Sequence, residues 1–278
     1  MSANTRAGAV IQYYISSQVD TLNRAIAATE RHAPGSAGGA RRDPPSAHGD
    51  PRLRAPVHRD PARGPQLEQL LTALKHTEDL ERLRTHFADR FDQLGLTVAE
   101  YPKWYGALDE EVRESYRQIE RVHSQTWVAA LLGQVRMFAE HAKFTRDGDK
   151  PASSLMGVVS KAKIHLLDTY VKMSHATDLV AARDEMRTAA RDAHHLAEAA
   201  APGLGRSAEE VIAPVADLGH LLVQYRQAVI ARNWLLRLPG ADRADRLTAS
   251  LADLEKEHLH QLGEQIDQAT AAMIDRWQ

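Results

Sequence analysis

The chain has 278 residues, with 35 Lys and Arg against 37 Asp and Glu and a formal net charge of -2. It contains no cysteine, which excludes disulfides, thiol nucleophiles and cysteine-held metal centres, and its near-neutral balance argues against a surface that coats nucleic acid. No apolar run reaches the ~18 residues of a membrane span, and the start MSANTRAGAVIQYY lacks the basic and apolar regions of a secretory signal, so a cytoplasmic protein is expected.

Residues 7–31 place Val10, Ile11, Tyr14, Ile15, Val19, Leu22 and Ile26 at helical spacing. This predicts an amphipathic helix forming an N-terminal unit, 1–32. Residues 33–65 hold seven of the twelve prolines, and six Arg against three Asp. With Leu53 and Val57 as the only large aliphatics, the segment has too little apolar area to offset its ordering entropy. A disordered basic linker is expected there, the one stretch where weak contact with nucleic acid is anticipated.

From 66 to 278 the pattern is helical throughout and reads as one bundle domain. Leu67, Leu71 and Leu74 share a face, whereas Leu80, Leu83, Phe87, Phe91 and Leu94 lie nearly opposite. The switch predicts a new helix start near Thr77, an N-cap ahead of Glu78 and Asp79. The loop LTVAEYPKWYG gathers Tyr101, Trp104 and Tyr105 around a proline, as a plug for the bundle end or as a binding hot spot. One long helix is predicted over 107–144, on Leu108, Val112, Tyr116, Ile119, His123, Trp127, Ala130, Gln134 and Phe138.

The next stripe runs from Leu155 through Val159, Leu166, Tyr170 and Met173 to Val180. The apolar face then moves to Leu179, Ala182, Met186, Ala189, Ala193, Leu196 and Ala200, so a break is expected near 174–178. This heptad seam of small residues predicts a coiled-coil-like face open to a partner or a second copy. Pro202, Gly203 and Gly205 mark a turn. Ser207 and Glu210 spell a capping box for a helix to about 238, kinked at Pro214. Leu238-Pro239-Gly240 stops it. Asp242 is expected to cap the last helix, whose stripe includes Leu247, Leu251, Leu254, His258, Leu262, Ile266, Met273 and Trp277. Long helices with short connections imply an all-α fold, an elongated antiparallel bundle of about five or six long helices.

Two Glu-x-x-His spacings, Glu120 with His123 and Glu255 with His258, each set a carboxylate and an imidazole on one helix side. Di-metal sites in helical bundles use this spacing twice, with one further Glu from each of two other helices. The 208–238 helix has no carboxylate on its apolar face, and the 154–200 stretch offers only Asp184, so the set is incomplete. Core histidines paired with edge carboxylates are the plainer reading; a His/carboxylate site for Fe, Mn or Zn is the alternative. Arg183, Arg187 and Arg191, continued by His194 and His195, align along one helix side. They form either a solvated, ion-paired face or an anion and partner surface.

The run Ala193-His194-His195-Leu196-Ala197-Glu198 resembles, over a short stretch, the phosphoacceptor helix of histidine-phosphotransfer bundles. The Lys-Gly pair of that motif is replaced by Ala197-Glu198, which removes the assisting charge and the space for a docking partner, so the activity is not carried over. Walker A, dinucleotide-binding, His-Glu-x-x-His and Gly-x-Ser-x-Gly motifs are absent from the sequence. The function expected is that of a non-enzymatic interaction protein, an adaptor, regulator or secretion-related factor that binds a protein partner or itself and needs no cofactor. The alternative is a metal-dependent bundle enzyme using the two Glu-x-x-His pairs.

Overall fold

The structure, a computed structural model, describes residues 5–32 and 64–277. Most of the linker expected over 33–65 therefore lies outside the described residues, and its last two positions, Gly64 and Pro65, already open a helix. Among the described residues all regular elements are helical, with one isolated bridge between Arg6 and Pro151. In chain order they are α1 (Ala7–His32), α2 (Gly64–Gln93), α3 (Lys103–His123), α4 (Thr126–Glu140), α5 (Met156–Met173), α6 (Leu179–Leu204), α7 (Arg206–Arg237), α8 (Gly240–Arg243) and α9 (Arg246–Trp277). Short 3-10 turns at 98–100, 146–149 and 152–155 fill the two longest described connections.

The helix α2 does not restart at Thr77. That residue is buried, and its hydroxyl donates back to the Ala73 carbonyl instead of capping a new start. One continuous helix shows two apolar faces because different neighbours cover its halves. Leu70 packs with Val128 and Leu131 of α4, whereas Leu80, Leu83, Phe87 and Phe91 join α3, α7 and α9.

The opposite correction applies to 107–144, which is two helices. The chain breaks at Ser124 and Gln125, whose side chains both donate to the Arg121 carbonyl. The break resets the stripe: Val128, Leu131 and Ala139 are buried, while Ala130 and Phe138 are exposed.

The expected interruption at 174–178 is present. Asp178 caps α6, its Oδ1 accepting the amides of Val180 and Ala181. Gly205 alone reverses the chain into α7, at φ 56° and ψ -130°. Ser207 already lies inside α7, and no side chain caps that helix, so the expected capping box does not form. At α9 the cap is Asp245 rather than Asp242; its Oδ2 accepts the Thr248 amide at 3.1 Å.

Three apolar clusters hold these helices. The largest lies among α1, α5, α6, α7 and α9, with Met186, Ala190, Ala193, Leu218, Leu222 and Ile266 fully buried. Alanines along α6 let its neighbours approach closely. The seam expected to face a partner is thereby corrected: beyond Leu179, which stays exposed, α1, α5 and α7 of the same chain cover it. The second cluster joins α2 and α3 to the end of α7 and the start of α9. Thus α7 is shared by both.

The helix α1 lies back on this body. Its entry is pinned by two backbone hydrogen bonds, Ala7 N–H to the Lys150 carbonyl and Ala152 N–H to the Thr5 carbonyl, both 2.9 Å. Val10, Ile11 and Tyr14 are then buried against α6 and the 152–155 turn.

Candidate functional site

Glu255 is the most enclosed ionisable side chain described, with no exposed surface. Its Oε1 lies 2.8 Å from His86 Nε2 and accepts Arg90 Nε, also at 2.8 Å, so two residues of α2 close on one carboxylate of α9. Its Oε2 has no hydrogen-bond partner among the described residues. Burial pushes the Glu255 carboxyl up, but hydrogen bonds and charge from His86 and Arg90 outweigh it and hold the group below its ordinary range. One turn on, burial and then Arg90 hold the His258 imidazole below its usual value, with Glu255 opposing them.

The expected placement is thus inverted: Glu255 occupies the core and His258 is half-buried. Glu120 is exposed on α3, and His123 ends that helix. The charged groups felt by His258 are Arg90, Glu255 and His86, not the other pair. Among the described residues no three His, Asp or Glu side chains gather as a metal cage, so the two Glu-x-x-His spacings do not converge. The reason is topological. The helix α3 packs along α2, and it reaches α9 at its opposite end through Trp104.

The arginine ladder is half-buried rather than fully solvated: Arg187 and Arg191 pair with acids of α6 itself, as an ion-paired face would, whereas Arg183 makes a junction between helices. Arg183 stacks over the Tyr225 ring at 4.5 Å and lies against Gly263, tying α6 to α7 and α9. Arg187 donates to Asp184 at 2.9 Å, and Arg226 of α7 reaches both Asp184 (3.1 Å) and Asp79 of α2 (3.6 Å). Arg191 lies 3.7 Å from Asp192.

Farther along α6, His195 Nδ1 sits 3.2 Å from both the Tyr14 hydroxyl and Glu198 Oε2. His194 Nε2 is 3.4 Å from the other carboxylate oxygen. Hydrogen bonds from His194 and His195 hold the Glu198 carboxyl down at about 2, against burial. The same bond to Glu198 raises His194. Burial, then the Glu198 charge, raises the Tyr14 phenol. This arrangement fastens α1 to α6.

The aromatic group closes the end of the second cluster. Phe91 meets Tyr101 at 4.5 Å and Tyr105 at 5.2 Å between ring centroids, and Phe87 meets Trp104 at 4.9 Å. Trp104 Nε1 donates to Thr248 Oγ1 at 3.0 Å.

A groove of about 600 Å³ opens between the start of α5, the start of α7 and the end of α9. Met156, Ser160 and Lys163 form one wall, and Val211, Pro214 and Trp277 face them. The Lys163 ammonium lies 4.5 Å from the centre of the Trp277 ring, and burial lowers its pKa. The Trp277 indole donates to the Glu210 carbonyl at 3.4 Å. Sequence reasoning placed Val159 and Trp277 on stripes but had no signal that their helix ends meet.

Comparison with protein-family models, curated proteins and solved structures finds no match. The fold therefore defines a class, an all-α helical bundle. Among the described residues no helix is long and apolar enough to cross a membrane.

Proposed function

We propose that the chain is an interaction protein, an adaptor or regulator that presents the α5 edge of its bundle to a protein partner. The observation that supports this reading is the apolar surface left uncovered there. The buried face of α5, Val159, Leu166, Thr169 and Met173, packs toward α6. On its outer side Ile164 is 57% exposed and Val171 56%. Met156, Val158, Leu179 and Val180 are exposed within the same 25-residue stretch, 156–180. Scattered exposed aliphatics are ordinary, but Met156, Ile164 and Val171 fall on one side of α5, and exposed aliphatics aligned along one helix side mark a contact surface.

A photo-crosslinking residue at Val171 tests the reading in cells, with Glu111 on the exposed side of α3 as control. A discrete adduct at Val171 that disappears with Ile164→Glu is expected. Indistinguishable labelling at the two positions rejects the proposal.

A further inference from the structure

Resting on that reading, we infer that the α5 edge and the adjoining groove receive an amphipathic helix of a partner protein whose flanks carry carboxylates. Three observations converge on this occupant, the first being shape. Met156, Ser160, Ile164, Leu167 and Val171 recur at four, four, three and four residues, one line along α5 at helical spacing. The line starts at the groove and follows a helix about 27 Å long at ~1.5 Å per residue. Such a track suits the repeating anchors of a helix laid into a groove.

The second observation is an open seam. The helix α6 packs on α5 and α7, and α7 packs on α9, but α5 and α9 do not pack along their lengths. They meet where Lys163 covers Trp277. The seam between them is the place where one more helix completes the layer.

The third is charge. Lys161, Lys163 and Lys172 form no ion pair among the described residues, and Asp168 is the single acid on α5. Arg276, at the groove end of α9, likewise has no described ion-pair partner. Elsewhere about half of the described arginines are ion-paired, as with Arg84, Arg90, Arg113, Arg117 and Arg226. On the facing wall Glu210 is held by Arg206 at 3.3 Å, which leaves Glu209 as the opposing acid. The balance along the track is cationic. Lys163 flanks the apolar line on one side, and Lys161 and Lys172 lie beyond Asp168 on the other. Aliphatics at helical spacing between these cations match a carboxylate-bearing helix better than a nucleic acid, which asks for stacking rings, or a lipid surface, which asks for inserted aromatics.

The test uses the purified full chain and a synthetic peptide helix of about five turns. The peptide carries leucines along one face and glutamates on both flanks; a twin carries lysines instead of glutamates. Oligouridine RNA and phosphatidylserine vesicles serve as competing probes. The acidic peptide is expected to bind, to weaken about tenfold in Lys163→Glu/Arg276→Glu, and to be lost in Ile164→Glu/Val171→Glu. A second charge variant, Lys161→Glu/Lys172→Glu, alters only solvent-exposed side chains and is expected to weaken binding in the same direction. Failure of the acidic peptide to bind, equal affinity for the twins, or preference for RNA or vesicles overturns the inference. A Val171 adduct in cells that survives those charge reversals separates this failure from failure of the interaction reading, for which no such adduct forms.

Discussion

Glu255 shows how one residue can decide whether two helices stay together. Its carboxylate is wholly buried and balances His86 and Arg90, both themselves mostly covered. Removing it strands the Arg90 guanidinium in the interior. Glu255→Ala is expected to lower stability by about 3–5 kcal/mol, a large share of the roughly 5–15 kcal/mol typical of a folded domain. Urea midpoints measure the loss, and adding Arg90→Leu and His86→Leu should recover much of it; no recovery would show that the cluster is not the cause. The pH dependence has a definite sign. The folded pKa values of Glu255 and Glu198 are depressed, so their contribution is complete above about 4.5 and is lost as pH falls below it, toward about 2 for Glu198. Glu255→Ala should flatten part of that acid limb. The Glu255/His258 spacing was visible in the sequence; its true partners were not. Arg90 lies 165 residues away, and no local periodicity reports which basic side chain α2 brings to α9.

Among elements, the legible boundaries were those written in local chemistry. The run from Pro202 to Gly205 announced the turn before α7, although Pro202 and Gly203 still lie inside α6 and Gly205 alone makes the turn, and Leu238-Pro239-Gly240 announced the end of α7. Thr77 misled because a change of face also arises when one straight helix changes neighbours. The break at Ser124 was invisible because neither Gly nor Pro marks it. Gly205 carries the clearest prediction at this scale. Its φ of 56° with ψ of -130° is backbone that side chains with a Cβ avoid, and nothing lies within 4 Å of the added atom. Gly205→Ala should therefore cost about 1–3 kcal/mol through the backbone alone. A melting temperature equal to the parent's would show that the α6–α7 turn relaxes without loss.

Across the whole molecule, the all-α class followed from the spacing of apolar residues, but the assembly did not. Sequence showed α1 as an amphipathic helix in need of a surface. The structure supplies that surface from α6, α4 and the turns at 146–155. Val10 and Ile11 each contribute on the order of 1.5–3 kcal/mol when fully buried. Deleting residues 1–32 should therefore lower the thermal midpoint and raise binding of a hydrophobic dye, as the alanine face of α6 becomes wet. Unchanged melting and dye response would mean that the body is complete without α1.

The clasp between Tyr14 and His195 also sets a timetable. These residues are 181 positions apart, so a ribosome making roughly 5–20 residues per second needs on the order of ten to forty seconds to travel from one to the other. At the end of that interval the α4 and 146–155 parts of the α1 seat exist, but the α6 part, which completes it, has only just been made. Nascent chains of this protein should therefore be clients of whatever chaperone waits at the tunnel exit, with the binding site in residues 7–15.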